Sequence, residues 1–381
     1  MYRVSPFVRH FALALGLGVA VATLWVNLLP DSYYDFVEWR LFDLSMPDWF
    51  SPITASLTPA SLTSHVLMPF FMFVIGKELW EAMTLERGAL SGTQALVPLG
   101  GVVGALIGAA LVWVLTGMMI EVAEEASFAV GWQVPLGSDV VLCYVFGRRV
   151  FGAGHPALHL LLLAAITCDF IGLVLLGLSY PRGGLLSLTW LALPLLASCT
   201  VWMLFGRYGR PHLPEVQHQR AMQLWPYAIA GVFSYVGVAA AGLPPALGLL
   251  PVIPAIPSAA RAFGLFAEAE ELLHDPLNRL SHLLTRPLAV ALFLFGLTRG
   301  GIDLEAYAPT TLTLLAAFWI GKPLGFLAGL TLTARALQRP LPAGITGFDS
   351  VLVALLLGIG FTVPVLAIDT SLPGGAMTEA A

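Results

Sequence analysis

Eleven apolar segments of roughly 20 residues, the length a helix needs to cross about 30 Å of hydrocarbon, recur along this chain and decide what it can become. They cover approximately residues 10–29, 59–81, 95–118, 126–147, 157–179, 185–206, 222–241, 244–258, 280–298, 311–333 and 349–368. Continuous hydrophobicity without strand-like alternation predicts helices and argues against a membrane barrel. The first segment, whose apolar run from Phe11 to Leu29 follows Arg3 and Arg9, is longer than the core of a secretion signal and is expected to stay as a span. Of 381 residues, 58% are hydrophobic and 11% charged, where soluble domains carry about 25% charge, so a soluble enzyme and a disordered chain are both excluded. A net charge of −5 without a basic stripe excludes a nucleic-acid partner. Cys143, Cys168 and Cys199 sit in apolar stretches with no CxxC or Cys/His spacing, so neither disulfide nor zinc site is expected, and no cofactor is implied. The expectation is an all-α polytopic membrane protein, residues 1–381 forming a single integral domain dissolved in the lipid bilayer.

Orientation follows from the arginines, because short cytoplasmic loops collect positive charge. With the N-terminus inside, cytoplasmic connections hold Arg3, Arg9, Arg87, Arg148, Arg149, Arg207, Arg210, Arg220, Arg261, Arg279, Arg286, Arg335 and Arg339, and the opposite loops hold Arg40, Arg182 and Arg299. The outer loops are acidic instead: Asp31, Asp35, Glu38, Asp43 and Asp48 in the first, Glu121, Glu124 and Glu125 in another. An odd number of spans then puts the C-terminus outside.

Two segments carry glycines at four-residue spacing, Gly100/Gly104/Gly108 and Gly321/Gly325/Gly329, a pattern that lets helix backbones approach closely. Near span centres stand Asp139, Asp169 and Lys322. A charge at that depth costs at least about 2.5–3.5 kcal/mol, so such residues face a protein interior and mark an ion or proton route, or else lock helices together as a structural pair. The fourth segment contains Pro135-Leu136-Gly137-Ser138-Asp139 and the eleventh Gly358-Ile359-Gly360-Phe361-Thr362-Val363-Pro364. Either break alone would be a proline kink; together, and beside buried charges, they predict unwound backbone lining an ion site. Cys168 adjoins Asp169 and reads on its own as packing. His65 reads as a helix-end histidine bonded to a carbonyl, and Glu78 and Glu81 as an acidic funnel or a solvated helix end.

These residues resemble the NhaA family of sodium/proton antiporters over nearly the whole chain. The most specific matches are Ile320-Gly321-Lys322-Pro323-Leu324-Gly325 and Gly358-Ile359-Gly360-Phe361-Thr362; weaker ones are Asp31-Ser32-Tyr33, Phe70-Phe71-Met72-Phe73-Val74 and Ser138-Asp139, where the family has Thr-Asp. The resemblance implies an inverted-repeat transporter with two discontinuous helices crossing at the midplane, exchanging Na+ or Li+ for H+ at the inner membrane. Its carry-over makes Asp169 the principal cation and proton carboxylate, Asp139 an accessory acid at the half-helix ends and Lys322 the buried cation, with Ser138, Cys168 and Thr362 around them. Asp139 and Lys322 have a second reading, as mere compensation for the partial charges of broken helices. Rival readings of the whole are a proton- or sodium-coupled carrier of an organic solute and a transport-inactive membrane sensor. The family's adjacent Asp-Asp pair falls on Cys168-Asp169, so the acid expected to partner Lys322 is replaced and the coupling ratio is open. Gly242-Leu243-Pro244-Pro245-Ala246-Leu247-Gly248 stands where the family often has a histidine, Ser64 or His65 near a usual Asn-Asp. The outer loop from Pro30 to Leu57 implies, by resemblance, a homodimer contact. The chain ends at Ala376-Met377-Thr378-Glu379-Ala380-Ala381, about where the family's twelfth span begins, leaving either a shortened sequence or an eleven-span member.

Overall fold

Lipid offers no hydrogen-bond partner, so each apolar stretch satisfies its own backbone by coiling. The computed structural model describes residues 7–43, 56–84, 95–119, 128–179, 187–209, 215–258, 265–267, 270, 273–304, 309–341 and 344–371. Arg3, Arg87, Arg182, Arg210, Arg261, Asp48, the acidic Glu121, Glu124 and Glu125, residues 44–55 of the expected dimer loop and the end from residue 372 onward lie outside them. The helices are α1 Phe7–Leu28, α2 Pro30–Glu38, α3 Pro59–Thr84, α4 Leu96–Met119, α5 Val140–Phe151, α6 Pro156–Ser179, α7 Leu188–Leu204, α8 Glu215–Ala221, α9 Trp225–Ala240, α10 Pro276–Arg299, α11 Thr310–Ala336, α12 Gly347–Leu357 and α13 Thr362–Ser371. Among the described residues, strands are confined to a two-residue antiparallel pair, Phe42–Asp43 with Ser56–Leu57.

Seven segments among the described residues are long and apolar enough to cross a membrane: α1, α3, α4, α6, α10, α11 and the interrupted pair α12–α13. Helices α7 and α9 and the 3₁₀ run Pro245–Ala255 are apolar but shorter. The fourth expected span is the 3₁₀ stretch Phe128–Leu136 followed, after a three-residue gap, by α5. Each of the eleven expected segments thus has a helical counterpart. The amphipathic α2 was read only as loop, because nine residues of mixed polarity carry no span signal.

The two glycine ladders turn out to be partners. An added Cβ on Gly104 would run into the Gly325 carbonyl oxygen, and one on Gly329 into that of Gly100, so α4 and α11 touch backbone to backbone. On the opposite face of α4, Val103, Ile107, Leu111 and Leu115 are exposed at helical spacing, the face a lipid solvent requires. Helices α1 and α10 form a second close seam through Gly18 and Gly296. Helix α6 lies in the middle, with 16 buried residues including Cys168 and Asp169.

Two helices widen where a proline removes a backbone donor. In α3 the π-helical stretch Leu62–Leu67 closes with the Met68 N–H on the Thr63 carbonyl, immediately before Pro69. In α11 the stretch Ala317–Gly321 closes with the Lys322 N–H on Ala317, immediately before Pro323. Pro323 cannot bond the carbonyl one α-turn back, and the wider turn absorbs the missing bond.

Candidate ion-binding site

The two interrupted helices cross at their breaks. The Asp139 N–H donates to the Ile359 carbonyl at 2.9 Å, the Ser138 hydroxyl to the Leu357 carbonyl at 2.9 Å and the Cys143 thiol to the Leu356 carbonyl at 3.3 Å. The Ser138 bond thus satisfies the last carbonyl of α12 and the Asp139 bond the Ile359 carbonyl just beyond it, while the thiol adds a second donor to the Leu356 carbonyl, which already accepts from the Ile359 N–H. Gly137 permits the crossing, since a Cβ there would stand 2.6 Å from Val363 and 2.9 Å from Pro364.

Asp139 caps two helices at once. One carboxylate oxygen accepts from the Leu142 N–H of α5 at 2.8 Å, and the other from the Thr362 N–H of α13 at 3.2 Å. Both are N-terminal ends, where the helix dipole favours negative charge. The Thr362 hydroxyl stands beside the same carboxylate. Lys322 answers at the opposite pole: its ammonium donates to the Gly137 carbonyl at the end of the 3₁₀ stretch and to the Ser138 hydroxyl at 3.0 Å, with the Phe318 ring 4.9 Å away. Its partners are therefore a carbonyl, a hydroxyl and a ring face, which fits the helix-end role. Cys168 faces Lys322 and Ser138, taking the place the resemblance gives to an acid.

Asp169 differs from Asp139. One oxygen accepts from the Ser138 N–H at 2.6 Å; the other is buried without a hydrogen-bond partner. Asp139, Asp169 and Lys322 are 0%, 1% and 0% exposed, so none can reach bulk water as the structure stands. Asp169 borders a cavity of about 10 Å³, lined by Met72, Ile75, Gly76 and Leu79 of α3, Ile166, Phe170 and Leu173 of α6, and Leu250. That is room for one water-sized occupant. All six expected site residues, Ser138, Asp139, Cys168, Asp169, Lys322 and Thr362, are brought to this crossing.

One ionic cluster escaped the sequence. Lys77, on the last turns of α3, is 1% exposed and pairs with Glu78 at 3.0 Å, with Glu81 at 3.1 Å and with Glu270. The solvated reading of Glu78 and Glu81 is thereby corrected: at 3% and 4% exposure they are buried, because the chain around Phe266 and Glu270 folds over them. The Phe266 N–H donates to Glu78, and burial, with the Glu78 charge beside it, pushes the Glu270 carboxyl up to about 9. The available signal was the spacing Lys77/Glu81, one helical turn apart.

Residues 9–380 match the family model described as Na+/H+ antiporter 1. This chain belongs to that family. Over its full length it is 35% identical to the Na(+)/H(+) antiporter NhaA of Jannaschia sp. (strain CCS1), covering 93% of that protein. It is 31% identical to the Na(+)/H(+) antiporter NhaA 2 of Pelobacter propionicus over 93% of this chain and 86% of that one. Among solved structures, the sodium proton antiporter MjNhaP1 from Methanocaldococcus jannaschii shares the fold with a TM-score of 0.51 at 16% identity, over 96% of this chain and 87% of that one. The NhaA family member described here is accordingly a multi-pass membrane transporter.

Proposed function

We propose that this chain exchanges Na+ or Li+ for H+ across the cell inner membrane by alternating access, with its N-terminus cytoplasmic and Asp169 as the carboxylate for which cation and proton compete. One observation carries the reading: of the two acids at the crossing, Asp139 has both oxygens committed to helix N-termini, whereas Asp169 has a free buried oxygen beside a water-sized cavity. Alkali cations are hard and take oxygen ligands, which a carboxylate supplies and the Cys168 thiol does not. A protonated or cation-bound Asp169 is neutral overall and an empty ionised one is not, so the site favours being occupied by one or the other. Asp139 and Lys322 hold the two broken helices in register, and Ser138 links them, since its N–H meets Asp169 and its hydroxyl meets Lys322.

The cavity beside Asp169 has no room for an organic solute, so the solute-carrier reading gains no support. The test is cation-dependent proton movement in proteoliposomes. Wild type is expected to move protons against a Na+ or Li+ gradient, and Asp169→Asn to lose that movement while keeping its elution profile in detergent. Undiminished flux in Asp169→Asn would overturn the assignment, and no cation-dependent flux in wild type would overturn the function.

A further inference from the structure

Lys322 is buried and forms no ion pair among the described residues. An ammonium carries three N–H donors, and here the Gly137 carbonyl and the Ser138 hydroxyl, both uncharged, take two of them. Asp169, Cys168 and Cys143 are near enough to act on its charge, but none of them bonds to it. A buried ammonium left with neutral partners is costly, so a further source of negative potential in contact with it counts. The Phe318 ring supplies one. Its centroid lies 4.9 Å from the Lys322 nitrogen, and the face of an aromatic ring is the negative pole of its quadrupole.

The backbone on both sides is arranged to hold that ring. Phe318 stands about one turn before Lys322, inside the π-helical stretch Ala317–Gly321, and helical side chains lean toward the N-terminus, so Lys322 reaches back over it. At the break between α12 and α13, Gly360 leaves room for the tip of the ring: a Cβ there would stand 2.6 Å from two of its carbons. Gly358 comes against the Phe318 carbonyl oxygen in the same way. At 6% exposure the ring is shut in between the break and the ammonium. Beyond the ammonium stands Ser138, whose N–H holds an oxygen of Asp169.

We infer that Phe318 is a positioning residue of the exchange site: its ring face stands in for the carboxylate that Cys168 has replaced, holds the Lys322 ammonium on the Gly137 carbonyl and the Ser138 hydroxyl, and through Ser138 keeps Asp169 in place. The part concerning exchange rests on Asp169 being the exchanging carboxylate. A ring can neutralise no cation and takes no proton, so Lys322 is steadied without tying up an acid. Asp169 is thereby left to the transported ion. Because the ring leans on Gly360, movement of the α12–α13 break is passed on to Lys322.

Ring fluorination tests this, since each fluorine drains electron density from the ring face while changing its shape little. Phenylalanines with one, two and three ring fluorines are placed at Phe318 in the full chain by nonsense suppression. The melting temperature in Na+-free detergent and the KM for Na+ in proteoliposomes are then measured. With each added fluorine the melting temperature is expected to fall and KM to rise, by at least about fivefold at three fluorines, with Vmax changing less. Both trends should vanish in Lys322→Met and shrink in Cys168→Asp, where a carboxylate takes over from the ring. A flat melting temperature, or a slope that persists in Lys322→Met, overturns the contact in favour of plain packing. A falling melting temperature with a flat KM overturns the positioning role, and an undiminished slope in Cys168→Asp overturns the substitution of ring for acid. Falling melting temperatures with no Na+-dependent proton flux in any form of the protein, wild type included, would refute the exchange function and leave the contact standing.

Discussion

Replacing Gly104 by alanine should cost about 2 kcal/mol of stability and loosen Lys322 at the same time. An alanine Cβ there would run into the Gly325 carbonyl oxygen and stand 2.8 Å from the Gly329 Cα, whereas ordinary contact begins at 3.4 Å, so α4 and α11 must separate by at least about 0.6 Å. Neither side can yield by rotating a side chain, because both surfaces are backbone. Forcing an extra methyl group into a seam already in contact costs about 1–3 kcal/mol, which puts the loss here at about 2 kcal/mol. Helix α11 also carries Lys322, and the same displacement would take its 3.0 Å bond to Ser138 to about 3.6 Å, beyond hydrogen-bond reach. The assay is the apparent melting temperature in detergent together with the KM for Na+. Gly104→Ala should melt about 2–3 °C below wild type and bind Na+ more weakly. Gly16→Ala, at a position with nothing within 4 Å, is the control expected to match wild type. If the two variants melt together, the glycine seam does not hold α11 in place.

Lys322→Met keeps the volume but leaves the Gly137 carbonyl buried without a donor, and a loss of about 2 kcal/mol is expected; an unchanged melting temperature would mean that Lys322 does not hold the break together. Glu270 titrates near 9 when folded and near 4.5 when unfolded, so the folded state binds the extra proton between those values, and its contribution to stability is lost as pH rises through that window. Melting temperatures should therefore fall from pH 6 to pH 9 in wild type and less steeply in Glu270→Gln, and parallel profiles would refute the assignment. With Cys168 where a second acid would sit, the expected count is one proton per cation, so flux in wild-type proteoliposomes should ignore an imposed potential, whereas Cys168→Asp should respond to it. One uncompensated charge would shift the balance by about 50-fold per 100 mV, so a strong voltage response in wild type would reject the one-for-one count.

What was legible in the sequence is what a membrane makes expensive. Asp139, Asp169 and Lys322 stood out because a charge at span depth needs a reason, and the Pro135–Asp139 and Gly358–Pro364 breaks because proline and glycine interrupt an apolar run only where freed backbone finds partners. The ladders at Gly100 and Gly321 announced close packing, but not that they pack on each other, since choosing a partner is a tertiary matter. That Asp139 meets the Leu142 and Thr362 N–H groups, and Lys322 the Gly137 carbonyl, could not be read from the sequence, because those contacts join segments far apart in the chain. Lys77 was missed for a different reason. It lies close enough to a span end to pass as solvated, and its partner Glu270 comes from a connection without periodicity, 193 residues away.

The central claim is that cation and proton compete for one carboxylate, and the KM for Na+ measured against pH in wild-type proteoliposomes tests it most directly. Competition at Asp169 predicts a KM that rises about tenfold for each unit fall in pH on the acid side, with Vmax unchanged. A KM that stays flat while Vmax falls would place the proton and the cation on separate groups and contradict the account.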